Sequence, residues 1–203
     1  MIDSLFIKVF LIIVIIIFLI GLIIPFIVLK RRGIDAHGTH EGGSTLTRLT
    51  PVTIMIWLLY VIVYIIFGNS IIILWSFAIF MSDIIIFTGM ILIVVSLIFN
   101  ALAMIGLGMN FRLEIPKEET ELITRGIYRL MRNPVVFALY LMLIGSFLII
   151  PNIFLMLIVI ANIITFESKI RDEEKFLSKR FEKKFETYRN TVGRYLPFKF
   201  KKR

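Results

Sequence analysis

Two clusters of polar residues in this chain have the types and spacing that chemistry requires. The first is Gly126-Ile127-Tyr128-Arg129-Leu130-Met131-Arg132-Asn133-Pro134, placed where a polar stretch meets a hydrophobic run; the second is Asp172-Glu173-Glu174, beyond the hydrophobic residues that come next. A buried core has no use for two arginines, a Gly, an Asn and a Pro at the lip of an apolar segment. A site that presents backbone and cationic side chains to a ligand at an interface does. Together the two clusters read as a cofactor site.

Glu167, Arg171 and Glu174 recur at i, i+4 and i+7, so one helical face carries two carboxylates and a guanidinium. Lys169 and Glu173 form a second i, i+4 pair on the same helix. Ionisable residues at membrane depth are costly and usually functional. Arg132, Asn133, Glu167, Lys169 and Arg171 are therefore the candidates for the chemical step.

The elements that position these residues are hydrophobic helices. The chain of 203 residues is 59% hydrophobic, with a mean hydropathy of +0.94, and its apolar runs reach the roughly 20 residues that cross a bilayer. Five spans are expected: Leu5–Leu29, Val52–Phe67, Ile84–Leu107, Val135–Ile150 and Ile153–Phe166, the last two joined by the turn Pro151-Asn152. The first run is too long for a signal-peptide core and is kept as a span. Ile71–Phe80 is apolar but short, an extension of a span or an outer-interface segment. The fold class is thus an all-α polytopic membrane protein. Residues 1–107 hold three helices and a loop at 30–50, and residues 108–203 form a catalytic half of cofactor loop, hairpin 134–166 and C-terminal amphipathic helix.

Charge sets the orientation. Five spans gather Lys30–Thr50, Gly108–Asn133 and Glu167–Arg203 on one side, and these hold 22 of the 23 Lys and Arg residues. Only Lys8 is left over. By the positive-inside rule that side is cytoplasmic, with the N-terminus outside and the C-terminus inside. The net charge of +9 is then topological, not a sign of nucleic acid.

Other readings of these residues are structural. Asn133-Pro134 also suits a helix start, with Asn as N-cap and Pro in the first turn. Glu174, Leu177, Phe181, Phe185 and Tyr188 form a single helical stripe with Lys and Arg on the other faces, as in a helix lying on an anionic membrane surface. Ala138, Gly145 and Ser146 are small residues of the kind that pack helices together. His37-Gly38-Thr39-His40-Glu41 has Gly-rich flanks and no third ligand nearby, so no metal site is expected. There is no cysteine, which removes disulfides and thiol chemistry.

Leu122-x3-Gly126-x-Tyr128-Arg129-x2-Arg132-Asn133-Pro134, a hydrophobic hairpin, then Glu173-Glu174-x2-Leu177-x3-Phe181-x6-Tyr188-x5-Arg194-x2-Pro197 resembles the isoprenylcysteine carboxyl methyltransferase and phospholipid methyltransferase superfamily. The resemblance covers about Gly108 to Pro197. It implies an integral-membrane enzyme using S-adenosylmethionine, with Leu122, Ile123, Gly126, Tyr128, Arg132, Asn133, Pro134, Glu173 and Glu174 around the cofactor. It also exposes departures. The superfamily often has His where Asn133 stands, Tyr at Val136 and Gly at Ala138. A glycine is expected at Glu182, a tyrosine at Phe185, and commonly Arg at Lys169. Loss of a phenol at Val136 and addition of a methyl at Ala138 implies an apolar slot for the acceptor, so these two are the candidate substrate contacts. The acceptor implied is a membrane lipid or lipidated small molecule. A non-catalytic lipid-binding or accessory protein on the same scaffold stays open at this point.

Overall fold

The computed structural model describes residues 2–31, 44–68, 82–107 and 122–195. His37–Glu41, Ile71–Phe80 and the first part of the cofactor loop, 108–121, lie outside them. The described residues form six helices and one 3-10 turn. These are α1 (Ser4–Arg31), α2 (Thr45–Arg48), α3 (Thr50–Phe67), α4 (Asp83–Leu107), the turn Gly126–Arg129, α5 (Pro134–Ile149) and α6 (Ile153–Thr191). Among them there is no strand, as expected for an all-α chain.

Runs of Ile and Val form helices here because a chain in lipid must satisfy every backbone group within its own segment. Four stretches are long and apolar enough to cross a membrane: Ser4–Gly21, Thr45–Phe67, Asp83–Leu107 and the apolar part of Ile153–Thr191. Outward-facing Ile12, Ile13, Ile16 and Ile17 on α1 are exposed, which suits a lipid solvent. The fifth apolar helix, α5, has 16 residues, below that length by composition and size alone. This is a membrane protein, with four long apolar helices and one short one among the described residues.

The helices alternate in direction. At one end the backbone N–H of Ile2 donates to Asp83 Oδ1 at 2.9 Å, and Lys8 lies against Gly68 at the end of α3. At the other end Asp172 of α6 accepts from the Ser44 N–H at 2.8 Å and from Thr47 Oγ1 at 2.6 Å. Ser44 and α2 are therefore pinned beside the charged part of α6. Burial pushes the Asp172 carboxyl up, but the hydrogen bonds from Thr47 and Ser44 outweigh it and hold the group below the usual range.

α4 and α5 pack most closely. A Cβ on Gly145 would stand 2.7 Å from the carbonyl oxygen of Gly89 and 2.7 Å from Ile93 Cγ1, so these backbones touch directly. Further along the seam Ser96 Oγ donates to the Ala138 carbonyl at 2.7 Å, and the Phe99 and Phe137 rings meet at 5.2 Å. Small residues that let backbones approach are how helices associate in lipid. Ser146 accepts from Trp57 Nε1 at 3.0 Å, fastening α3 to α5.

One element differs from expectation. The fifth hydrophobic segment runs without interruption into the amphipathic stripe, so that α6 continues well past Phe166, capped at its start by Asn152 Oδ1 on the Phe154 N–H at 2.8 Å. It is broken at Glu182, whose φ of 42° and ψ of −117° are not helical. The far end of the stripe faces the protein instead of a membrane surface. Phe185 and Tyr188 are buried, and Tyr188 Oη donates to the Tyr128 carbonyl at 2.6 Å. The bend turns the helix end back over the 3-10 turn, which shields its apolar stripe.

Candidate active site

Gly126 opens the 3-10 turn with φ +59°, a left-handed conformation that glycine adopts without steric cost. Tyr128 in that turn is buried, its ring against Gly106 of α4. Met131 then pairs with Gly193 in an isolated parallel bridge. The Arg132 N–H donates to Gly193 O at 2.9 Å and the Asn133 N–H to Arg194 O at 3.1 Å. Thus the residues after the break in α6 lie directly on the Arg-Asn-Pro segment.

That contact carries a charged clasp. Arg132 Nη2 meets Glu174 Oε1 at 2.9 Å, with side-chain exposures of 10% and 15%, and Arg132 Nη1 donates to the Arg189 carbonyl at 2.8 Å. Arg194 Nη2 meets Glu174 Oε2 at 2.6 Å, and Arg194 Nη1 reaches Glu167 Oε2 at 3.3 Å. Glu167 Oε1 in turn accepts from the hydroxyls of Tyr195 and, at 3.1 Å, Tyr140. Burial lowers the pKa of Arg132 against the pull of Glu174, while the hydrogen bonds Arg194 donates to Glu174 raise its own. Burial and the hydrogen bond to Glu167 push the Tyr195 hydroxyl up. All these carboxylate oxygens are engaged by the chain itself.

Glu173 differs. Its one ion pair is with Lys169, at 3.8 Å across one helical turn, and its side chain keeps 39% of its surface accessible. Enough protein surrounds it that burial is the main cause raising its pKa; Glu174 and Asp172 add to the rise and Lys169 opposes it.

Two donors in the site lack partners. Arg132 Nε and Asn133 Nδ2 are buried with no hydrogen bond. Asn133 occupies the N-cap position of α5, yet its side chain makes no capping bond, so the structural reading of this residue does not account for it. Buried donors left unsatisfied cost about 1–3 kcal/mol each, and such a pair suits an anionic group.

The other expected residues are spread more widely. Leu122 and Ile123 are half-buried, Pro134 is buried at the start of α5 and Arg171 is exposed. Ala138 lies in the α4 seam at 1% exposure, and Val136 is partly buried against the core. Arg194, Tyr195 and Tyr140 complete the clasp without having been assigned to it. Arg194 belongs to the motif given above, which was the available signal; for the two tyrosines the only hint is a phenol within or next to apolar residues.

Comparison with curated proteins and with solved structures gave no match. Residues 84–184 match the phospholipid methyltransferase family. The match spans about half of the chain, from α4 through Glu173 and Glu174, and ends before Arg194. With its helices apolar enough for a bilayer and the Arg132–Glu174 pair joining the two halves of the motif, the chain belongs to the phospholipid methyltransferase family of membrane methyltransferases.

Proposed function

We propose that this protein transfers a methyl group from S-adenosylmethionine to a lipidic or amphipathic acceptor at the cytoplasmic face of a membrane. The observation that carries the reading is the pair of buried, unpartnered donors, Arg132 Nε and Asn133 Nδ2, beside Glu174, which Arg132 grips and which Glu173 precedes on α6. The family's methyltransferases generally use this cofactor, whose amino-acid portion bears a carboxylate and an ammonium. Arg132 and Asn133 suit the carboxylate, and Glu173 suits the ammonium. Leu122, Ile123, Gly126 and Tyr128 supply the neighbouring wall.

When bound, S-adenosylmethionine supplies an electrophilic methyl on a sulfonium, a leaving group that needs no protonation. The work left to the chain is alignment and exclusion of water. Glu174 acts as a positioning residue, held between Arg132 and Arg194 so that Arg132 keeps one orientation. Tyr140, Tyr195 and Glu167 close the membrane side of the site, where a lipid-borne acceptor arrives laterally. Because both Glu167 oxygens are engaged, an acceptor that is already nucleophilic fits better than one requiring a base.

Calorimetry with S-adenosylhomocysteine on detergent-purified protein tests the cofactor. Wild type should bind, and Arg132→Ala should bind at least tenfold more weakly, about 1.4 kcal/mol. A raised Glu173 pKa means its charge is lost on acidification earlier than for an ordinary carboxyl. Affinity for the cationic amine should therefore fall as pH drops through a value above the ordinary glutamate range, and Glu173→Gln should flatten that dependence. Absence of wild-type binding defeats the enzyme reading.

The same reading places the loop after α1 and the C-terminus in the cytoplasm, in a five-crossing arrangement supported by the alternation of helices and by Asp172 holding Ser44. The chain has no cysteine, so single introduced cysteines at His37 and Arg203 report sidedness cleanly. Both should resist an impermeant thiol reagent applied outside intact cells; strong labelling of either rejects the topology.

A further inference from the structure

The acidic run Asp172-Glu173-Glu174 is divided between two sets of partners. At about 100° per residue, Asp172 and Glu174 project from nearly opposite faces of α6, about 3 Å apart along its axis. Glu174 faces Arg132 and Arg194. Asp172 faces α2, where Oδ2 alone accepts from the Ser44 N–H at 2.8 Å and from Thr47 Oγ1 at 2.6 Å. One turn earlier on α6, Ser168 Oγ lies 2.7 Å from Ser44 Oγ and accepts from Thr47 Oγ1 at 3.4 Å. The charged end of α6 is thus gripped from both sides at one level.

The α2 side of this grip is a fixed point. Ser44 caps α2 by accepting from the Thr47 N–H at 3.3 Å, and only Leu49 separates α2 from α3. Deeper in the bundle α3 is itself tied to α6. Thr53 Oγ1 lies 3.1 Å from Thr165 Oγ1, and Asn162 Nδ2 donates to the Thr53 carbonyl at 3.1 Å. Those bonds set where α6 stands against α3, and Asp172 sets its rotation at the level of the clasp. Ser168 already reaches the hydroxyls of Ser44 and Thr47, so holding α2 does not by itself call for a carboxylate. The Asp172 side chain keeps only 9% of its surface accessible, and burying a charge is costly unless it is well partnered. What the charge adds is shorter and stronger hydrogen bonds, the stiffness that orientation requires. α2 and α3 precede the family match at 84–184, so this support comes from the part of the chain before the matched segment.

We infer that Asp172 is a positioning residue for the cofactor site, fixing the rotation of α6 through Ser44 and Thr47 and thereby the place of Glu174 between Arg132 and Arg194. The inference rests on the methyltransferase reading above and deepens it, because it makes α2 part of the site's support. A slip of α6 by one residue moves Glu174 by about 1.5 Å, enough to part its bonds of 2.9 and 2.6 Å to the two arginines. Arg132 then loses its fixed orientation. Misplacement of positioning groups by about 1 Å can cost about a hundredfold in function.

S-adenosylhomocysteine affinity and Tm, measured on detergent-purified protein, test this. Asp172→Ala should bind about tenfold more weakly than wild type, and Thr47→Val, which removes one of the two bonds, about threefold. Asp172→Asn, whose amide oxygen can accept from both donors, should stay within about threefold of wild type. The tie can also be remade covalently. The chain has no cysteine, and the 2.7 Å between the Ser44 and Ser168 hydroxyls suits a disulfide formed by Ser44→Cys with Ser168→Cys. Once formed in the Asp172→Ala protein, that disulfide should restore affinity, and reducing it should remove the gain. In a Glu174→Gln background Asp172→Ala should cost little further affinity, because the carboxylate it positions is gone. A purely structural anchor would instead lower Tm in Asp172→Ala and Thr47→Val while both bind as wild type does, and that result overturns the inference. A full loss on Asp172→Ala in the Glu174→Gln background overturns it equally, as does affinity that stays low after the disulfide has formed. These failures leave the methyltransferase reading standing, whereas absence of wild-type binding rejects that reading and this inference with it.

Discussion

The α4–α5 seam and the clasp at the charged end of α6 both bring distant residues together, by opposite means. In the seam nothing is charged. Gly89 and Gly145 bring two backbones to a separation where a Cβ would meet a carbonyl oxygen at 2.7 Å, and the contact is dispersion over a large apolar face. In the clasp the chain is held by Arg132, Glu174, Arg194 and Glu167, each gripping by charge-assisted hydrogen bonds. Lipid offers no hydrophobic drive between helices, so shape decides there. At the interface, partial desolvation strengthens ion pairs while access for a ligand is retained. The seam provides a rigid frame, and the clasp is where the proposed function places the ligand.

Breaking each region separately should give contrasting outcomes. Arg194→Ala leaves Glu174 with one partner and frees a Glu167 oxygen. Loss of one member of a buried charge network costs about 3–5 kcal/mol; with Arg194 partly exposed, about 2 kcal/mol is the expected loss. S-adenosylhomocysteine affinity should fall at least tenfold as well, because Arg132 loses its fixed orientation. Gly145→Ala should cost about 1–3 kcal/mol by overpacking and leave that affinity within about twofold of wild type. Thermal unfolding and calorimetry on both variants measure the two effects. A Gly145→Ala protein that loses binding as severely as Arg194→Ala would erase the distinction between frame and site.

The two regions also differ in how far they were legible in the amino-acid order. The seam obeys local rules: Ala138, Gly145 and Ser146 recur within one apolar run, and small residues in such a run have few uses other than close packing. Pro151-Asn152 was equally legible, since the Asn caps α6 as its type predicts. Half of the clasp was readable, because Arg132 and Glu174 sit in a recognisable pattern and Glu167 shares a helical face with Glu174. Arg194 and Tyr195 were not placed, because reaching them requires knowing that α6 bends at Glu182. Helix propensity gives no such signal, since glutamate is a good helix former. Asp172 was read only with its acidic neighbours, because its partners Ser44 and Thr47 stand far from it in the chain.

The bend itself supplies the smallest and sharpest test. At Glu182 the backbone has φ 42° and ψ −117°, a region that side-chain-bearing residues rarely enter and that costs of order 1–3 kcal/mol. The family resemblance expects glycine at this position, the residue for which the conformation is unstrained. The bend persists because the chain beyond it is over-determined: Phe185 and Tyr188 are buried, Tyr188 holds the Tyr128 carbonyl, and Gly193 and Arg194 bond to Arg132 and Asn133. Those contacts impose the conformation on a residue that resists it. Glu182→Gly should therefore stabilise the protein, by about 1 kcal/mol once glycine's greater freedom in the unfolded chain is subtracted. For a chain of this length that is about 2–4 °C in Tm. The glutamate side chain is exposed, so its removal breaks no packing. A helix forced straight through this position would show the reverse, since glycine inside a helix destabilises by about 1 kcal/mol. A lowered Tm would therefore mean that α6 runs on unbent, leaving Arg194 no route to Glu174 and dissolving the clasp on which the comparison with the seam depends.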